Sequence, residues 1–313
     1  MSASAMTGAI AGATPAGAED VAFGDWMKSV QARTEAALDA FLPPASRVPA
    51  KLHEAMRYTV LGGGKRVRPL LAHASADLFG ADDDTAARAA CAVEMIHAYS
   101  LVHDDMPCMD DDALRRGKPT VHVAYDEATA LLVGDALQAQ AFEVLAGSTV
   151  APQRLVSMLR LLAEAAGSAG MCGGQAIDLD SVGLKLDLAQ LERMHQLKTG
   201  AMLRVSVVLG ALAGRELDSA ELDALGAYAR AIGLAFQVVD DVLDATADSA
   251  TLGKTAGKDA AANKPTYVSI LGLAPSKALA EQLRGQAHAA LAPFGDKAQR
   301  LRELADLIVQ RKA

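Results

Sequence analysis

The sequence predicts an all-α fold, and three observations carry that expectation. Apolar residues recur at helical spacing through most of the chain. The 51% hydrophobic content is drawn from alanine and other small aliphatics, with aromatics only 4%, and alanine is the strongest helix former. Strand-like alternation of β-branched residues is absent. At 313 residues the chain is long enough for about two domains, although one large helical domain fits equally well. Its apolar content excludes intrinsic disorder.

The elements follow in order. Asp25 to Leu42 places Met27, Val30, Ala37, Leu38 and Phe41 on one side, and Pro43-Pro44 stops it. Lys51 to Leu61 ends in the run Gly62-Gly63-Gly64. Pro69 suits the first turn of a helix reaching about Phe79. A long helix from about Thr85 passes His103 into an acidic stretch near Pro107. Further helices are expected over Glu127–Leu145, Pro152–Ala166, Leu188–Ala213, Ser219–Leu243, Lys277–Leu291 and Lys297–Arg311. Residues 1–24, rich in Gly and Ala, read as a flexible tail, which leaves 25–313 as the folded domain. No secretory or transit signal is legible in that tail. No run of about 18 uninterrupted apolar residues predicts a membrane span. Three cysteines, Cys91, Cys108 and Cys172, form no paired spacing, which points to a reducing cytoplasm.

The 38 acidic against 30 basic side chains leave a formal net charge of −8. That balance argues against a nucleic-acid partner, because phosphate backbones demand the opposite sign. Much of the acidity is clustered. His103-Asp104-Asp105-Met106-Pro107-Cys108-Met109-Asp110-Asp111-Asp112 ends the long helix, and carboxylates so close repel one another unless a cation sits among them. Arg115-Arg116-Gly117-Lys118 follows directly. Carboxylates beside guanidiniums suit magnesium with a polyphosphate, since magnesium takes one or two carboxylates and completes its shell with water and phosphate oxygens, while arginine grips phosphate bidentately. A solvated acidic turn is the plainer alternative.

A second cluster, Gln237-Val238-Val239-Asp240-Asp241-Val242-Leu243-Asp244, lies in the other half of the chain. Asp240 and Asp244 are four apart and share one helical face, with Gln237 a turn earlier. Lys254, Lys258 and Lys264 follow it. A third element, Gly62-Gly63-Gly64-Lys65-Arg66-Val67-Arg68-Pro69, leads into a helix N-terminus and offers Lys65, Arg66 and Arg68 as a phosphate cradle. His97 lies seven residues before Asp104, on nearly the same face. His103 and His195 read as core histidines, Cys108 as spacing, and Lys198-Thr199-Gly200 as a weak signal.

The combination resembles the trans-isoprenyl diphosphate synthases, and within them the bacterial-type farnesyl diphosphate synthases. The matching strings are LGGGKRVRPLL from Leu61, EMIHAYSLVHDDMPCMDDDALRRGKPTVH from Glu94, GGQAIDL from Gly173, LKTGAML from Leu197 and FQVVDDVLD from Phe236, followed by GKTAGKD and NKPTYVSILG. The resemblance implies a single all-α domain of antiparallel helices around a central cavity, and a homodimer. It implies magnesium-dependent head-to-tail condensation of isopentenyl diphosphate with dimethylallyl and geranyl diphosphates. Isopentenyl diphosphate would meet Lys65, Arg68, His97 and Arg116, and the allylic diphosphate Arg115, Lys198, Thr199, Gln237, Lys254 and Lys264. Magnesium, three ions by the family pattern, would be held by Asp104, Asp105 and Asp110 and by Asp240, with Asp241 and Asp244 behind. Asp104, Asp105, Asp110, Lys198, Asp240 and Asp241 would be catalytic. Arg311 and Lys312 would belong to a closing tail. Tyr99 and Ser100 would set chain length, with Tyr99 favouring the fifteen-carbon product over twenty or ten carbons. A terpene cyclase and a non-catalytic synthase subunit are the competing readings.

Overall fold

The computed structural model describes residues 22–246 and 265–311. Helices dominate it: α1 (Phe23–Phe41), α2 (Ala50–Val60), α3 (Val67–Phe79), α4 (Asp83–Asp104), α5 (Val121–Ala124), α6 (Glu127–Ala146), α7 (Pro152–Ala166), α8 (Met171–Asp180), α9 (Leu188–His195), α10 (Ala201–Gly214), α11 (Ser219–Thr246), α12 (Tyr267–Leu271), α13 (Leu273–Ala290) and α14 (Gln299–Gln310). A 3₁₀ segment over Ala292–Ala298 joins the last two.

Side-chain caps define several of the starts. The Asp82 carboxylate accepts from the Thr85 N–H at the head of α4, and Asp126 accepts from Thr129 at the head of α6. Asp187 and Gln190 form a reciprocal capping box on α9. Each such cap is worth about 1 kcal/mol. They separate helices that apolar periodicity alone would run together.

Helix α10 is the centre. Met202, Leu203 and every residue from Val205 to Ala213 are buried, so it is apolar on all sides, as a helix enclosed by others must be. It packs on α3, α4, α7 and α11. Met202, Val205, Val208 and Leu209 join a core with α4, α6 and α7, while Leu203, Val207 and Ala211 join another with α3, α11, α13 and α14. Tyr228 on α11 is wholly buried and donates its hydroxyl hydrogen to the Leu301 carbonyl at 2.6 Å, tying α11 to α14.

Three continuous helical stretches, Pro152–Asp180, Leu188–Gly214 and Ser219–Thr246, have the length and composition to cross a membrane, which inspection for uninterrupted apolar runs does not detect. The apolar windows of the second and third are 72% and 56% buried within the protein and that of the first 33%. In α10 and α11 this apolar surface is therefore largely core.

His73 sits in α3 at 2% exposure with its Nε2 lacking a hydrogen-bond partner. Burial, with a smaller push from Arg33, lowers its pKa from 6.5 to about 4. The unfolded chain therefore binds a proton that the folded chain refuses between those values. Stability is full above pH 6.5 and falls as pH drops towards 4, by up to about 3 kcal/mol from this group. Thermal melting followed from pH 7 to pH 4.5 should show that loss, and His73→Leu should flatten it.

Candidate active site

The site is assembled around the C-terminal end of α4. Adjacent helical residues diverge by about 100°, and that divergence separates Asp104 from Asp105. Asp104 turns towards α8, where the Gln175 side-chain N–H donates to it at 2.8 Å. Burial raises its carboxyl above the ordinary carboxylate range, with Asp110 adding to the rise, while Lys198 and Gln175 oppose it. Asp105 turns the other way. Arg115 donates to both of its oxygens, at 2.5–2.9 Å. Asp105 is thus a 3% exposed carboxylate with its charge met by a guanidinium.

Beyond Asp105 lies a basic pocket lined by Gly62, Arg66, His97, Arg115 and Arg116, with Tyr58 at its edge. Its outer wall is a hairpin in which Leu114–Arg115 pairs antiparallel with Lys118–Pro119. Arg116 (φ 53°) and Gly117 (φ 74°) turn between them, the left-handed pair that two-residue hairpins require. The sequence reading contained no strand, and the Arg-Gly dipeptide is the signal that marks this one. The turn aims Arg116 at the glycine loop, where it donates to the Gly63 carbonyl. The Tyr58 hydroxyl reaches the Pro119 carbonyl at 2.7 Å. Arg115 lines this pocket beside Arg116 and also feels Asp104, the carboxylate that faces Lys198.

Arg66 differs from expectation most. It has φ 51° at the head of α3 and is buried, donating to Glu35 (2.7 Å), Glu94 (2.6 Å) and the Val60 carbonyl (2.6 Å). Burial works against its charge, but Glu94 and Glu35 hold its pKa above the usual value. Its donors are spent on the protein, so it is not a free phosphate ligand. Arg68 is the reverse case: its Nε is buried with no hydrogen-bond partner. Burial and the neighbouring Arg116 depress its pKa, with Glu94 opposing. His97 is held neutral by burial and by the surrounding cations Arg68, Arg116 and Arg115. An unpaired buried guanidinium N–H beside a second arginine leaves donor capacity for an anion. Lys65, exposed on the same loop, is outside the pocket wall.

On the other side of α4, residues Gln196–Gly200 form a π turn between α9 and α10, where one uninterrupted helix is expected. Such turns widen a helix and often mark functional sites. This one carries Lys198 and Thr199. Lys198 pairs with Asp178 on α8 at 2.6 Å and also feels Asp104 and Asp110. Gly174 makes this approach possible, since a Cβ there would fall on the Lys198 backbone.

The second acidic cluster sits near the end of α11. The Gln237 side chain meets His195 Nδ1 at 3.1 Å, and the His195 ring stacks on Tyr267 at 5.7 Å. Burial lowers the His195 pKa to about 4, so it is a neutral core residue, as expected. Asp241, by contrast with its neighbour Asp240, is buried and accepts the Tyr267 N–H at 2.7 Å at the head of α12. Asp240, on the more exposed side, pairs with Arg311 at 2.5 Å. The Arg311 guanidinium stacks 3.9 Å from the Phe236 ring centroid and bonds the Phe236 carbonyl. Asp244 is half-buried one turn on. Lys254, Lys258, Lys264 and Lys312 lie outside the described residues.

Among the described residues, no three His, Cys, Asp or Glu side chains converge as a ready-made metal cage. The donors present at Asp104, Asp110, Asp240 and Asp244 are all oxygens, which suits a hard ion that takes few protein ligands and borrows the rest from phosphate and water.

The fold and this geometry define an all-helical protein with aspartate clusters at the ends of α4 and α11 and a pocket lined by His97, Arg115 and Arg116 beside the first of them. Residues 49–299 match the family model for polyprenyl synthetases. The chain is 47% identical to the farnesyl diphosphate synthase of Escherichia coli over 88% of its own length and 94% of that protein. It is 51% identical to a large subunit of a heterodimeric geranylgeranyl pyrophosphate synthase from Arabidopsis thaliana, over 88% and 76%. The crystal structure of an FPP/GFPP synthase from Zymomonas mobilis superposes with a TM-score of 0.83 at 44% identity, covering 92% of this chain and 98% of that one. The chain belongs to the polyprenyl synthetase family.

Removing one partner from the buried Arg66–Glu94 pair strands a charge in the core, which costs about 3–5 kcal/mol. Glu94→Ala should lower the melting temperature sharply, whereas Lys65→Ala, on the exposed part of the loop, should leave it within a degree or so. Calorimetry of the two variants checks both.

Proposed function

We propose that the protein is a farnesyl diphosphate synthase, a prenyltransferase that joins isopentenyl diphosphate head-to-tail to dimethylallyl and then geranyl diphosphate. One observation carries the reading: the end of α4 separates two groups of cations, with Asp104 beside Lys198 and Asp105–Arg115 on the pocket of His97 and Arg116, whose field Arg68 shares. Two diphosphates held on either side of one helix end have their hydrocarbon parts brought within reach of each other.

In this reading Arg68, Arg116 and neutral His97 bind isopentenyl diphosphate, with Lys65 at the entrance. Lys198 and Thr199, with Arg115 across the helix end, orient the allylic diphosphate. Gln237 contributes indirectly, through His195. Asp104, Asp110, Asp240 and Asp244 would hold magnesium, which when bound neutralises charge on the departing diphosphate. The chain's own cations do the same from fixed positions, so little reorganisation is needed as the allylic C–O bond ionises. The buried apolar residues of α4, Ala98 and Val102 among them, keep water from the carbocation. The isopentenyl double bond then attacks the allylic C1. The proton lost afterwards goes to the departing diphosphate: His97 faces arginines, and the pocket's two carboxylates, Glu94 and Asp105, are already engaged by Arg66 and Arg115.

The family resemblance brings with it a homodimer and a cytoplasmic setting. The exposed Leu131 and Leu132 on α6 support an apolar contact with a second copy. The retention of both aspartate clusters disfavours a non-catalytic subunit, and the basic pocket beside α4 disfavours a cyclase.

Purified protein with magnesium, dimethylallyl diphosphate and isopentenyl diphosphate should yield farnesol after dephosphorylation, read by chromatography. No condensation, or a cyclic hydrocarbon, would overturn the assignment. EDTA should abolish turnover, and excess magnesium should restore it. Arg116→Ala should raise KM for isopentenyl diphosphate by roughly tenfold or more with a smaller effect on the allylic substrate, the scale of one charge-assisted contact. Asp104→Asn should lower kcat by about 10²-fold or more.

A further inference from the structure

Two side-chain bridges join α4 to α8. The upper is Gln175 to Asp104 at 2.8 Å. The lower is Tyr99 to Cys172, with the phenol oxygen 3.4 Å from Sγ. Tyr99 precedes Asp104 by five residues and Cys172 precedes Gln175 by three. The two helices therefore run in the same sense here, and the lower bridge lies ~7.5 Å further down α4. The helices are not packed backbone to backbone, so these side chains span the space between them.

The Tyr99 ring is held by more than the thiol. The His103 ring meets it edge-on at 5.8 Å. His103 is fixed in turn by the Leu131 carbonyl at 3.1 Å and by Gly134, where any Cβ would collide with the imidazole. The ring is 4% exposed, yet Cys172 on the facing helix is exposed. The thiol is thus the accessible half of a contact whose other half is locked. Ser100 takes no part in it, since its hydroxyl is turned back to the His97 carbonyl at 2.9 Å.

We infer that the Tyr99–Cys172 bridge closes the space below the aspartates, making Cys172 a positioning residue for product length. This rests on the farnesyl reading above. A prenyl chain anchored at Asp104 grows towards the lower bridge and stops where phenol and thiol meet. Breaking the bridge opens the gap between the ring and α8 and admits one further five-carbon unit.

The test is the product distribution of the wild type, Cys172→Ala, Cys172→Ser and Tyr99→Phe under identical conditions. Cys172→Ala and Tyr99→Phe should each raise the C20 to C15 ratio by about tenfold, the scale of one hydrogen bond. Cys172→Ser, which keeps size and a donor, should stay near the wild type. The Tyr99→Phe/Cys172→Ala double variant should match either single variant, because the same contact is lost. In a Cys108→Ser background, methylthiolation of Cys172 should shorten the product, while the Cys172→Ala protein should not respond to the reagent. An unchanged ratio in Cys172→Ala would overturn the inference, as would equal lengthening in Cys172→Ser. A wild type whose main product is not C15 would refute the farnesyl reading instead. The bridge would then be judged by whether Cys172→Ala still adds one unit.

Discussion

The buried contact of Arg66 with Glu94 and Glu35 is the constraint on which the rest of the site depends. A guanidinium at 4% exposure is tolerable only with its donors met, and here Glu35 on α1, Glu94 on α4 and the Val60 carbonyl on α2 meet them. Three helices are thereby tied to the loop that starts α3. The loop can then present Arg68 from the first turn of α3 beside His97, one turn beyond Glu94 on α4. The same anchorage sets the glycine carbonyl that receives Arg116 from the hairpin. A cationic pocket of this density is self-repulsive, and Glu94 is the carboxylate that offsets it for Arg66, Arg68 and Arg116 together.

Compensation of charge continues across the site. Asp105 has Arg115, Asp178 has Lys198, and Asp240 has Arg311. Each cation comes from an element other than the helix carrying the acid, so each pair also fixes a tertiary relation. The net −8 is therefore not a diffuse surface property. Its aspartate clusters sit where fixed cations already balance part of their field. An incoming diphosphate then meets dipoles and charges that are set beforehand. Arg311 has a particular place in this arrangement. It lies two residues from the chain end, stacked on Phe236, with its charge on Asp240, so the C-terminal segment is held against the second cluster.

Much of this was legible in the sequence because helix periodicity and charge clustering are local. The spans of α1, α2, α6, α7 and α14 fall within a few residues of their expected limits, and both aspartate clusters lie at helix ends. What escaped depends on partners distant in the chain. Arg66 and Arg68 are indistinguishable as neighbouring arginines, and only the fold gives one two carboxylates and leaves the other's Nε unpaired. Asp104 and Asp105, or Asp240 and Asp241, look equivalent in a row. A helix sends adjacent side chains in different directions, which gives Asp104 to Gln175 and Asp105 to Arg115, and likewise Asp240 to Arg311 and Asp241 to the Tyr267 N–H. The π turn at Gln196–Gly200 was hidden because its composition is that of an ordinary helix. Helix α8 was not among the expected elements, because Gly173-Gly174 lower the helix propensity of a short segment.

That glycine pair shows how a feature unfavourable to a helix serves a site. Two glycines cost a helix of ten residues roughly 1–2 kcal/mol relative to alanine. The cost is recovered in position: Gly174 lets the π turn come against α8, so Lys198 can reach Asp178 on the following turn. Cys172 and Gln175, on either side of the pair, then face α4 as the two bridges to Tyr99 and Asp104. One short helix thus sets the lysine, supports the buried carboxylate and meets the aromatic ring beneath it. A longer, glycine-free α8 would be more stable alone and would hold the π turn away. The local instability of α8 is therefore a condition of the site's geometry.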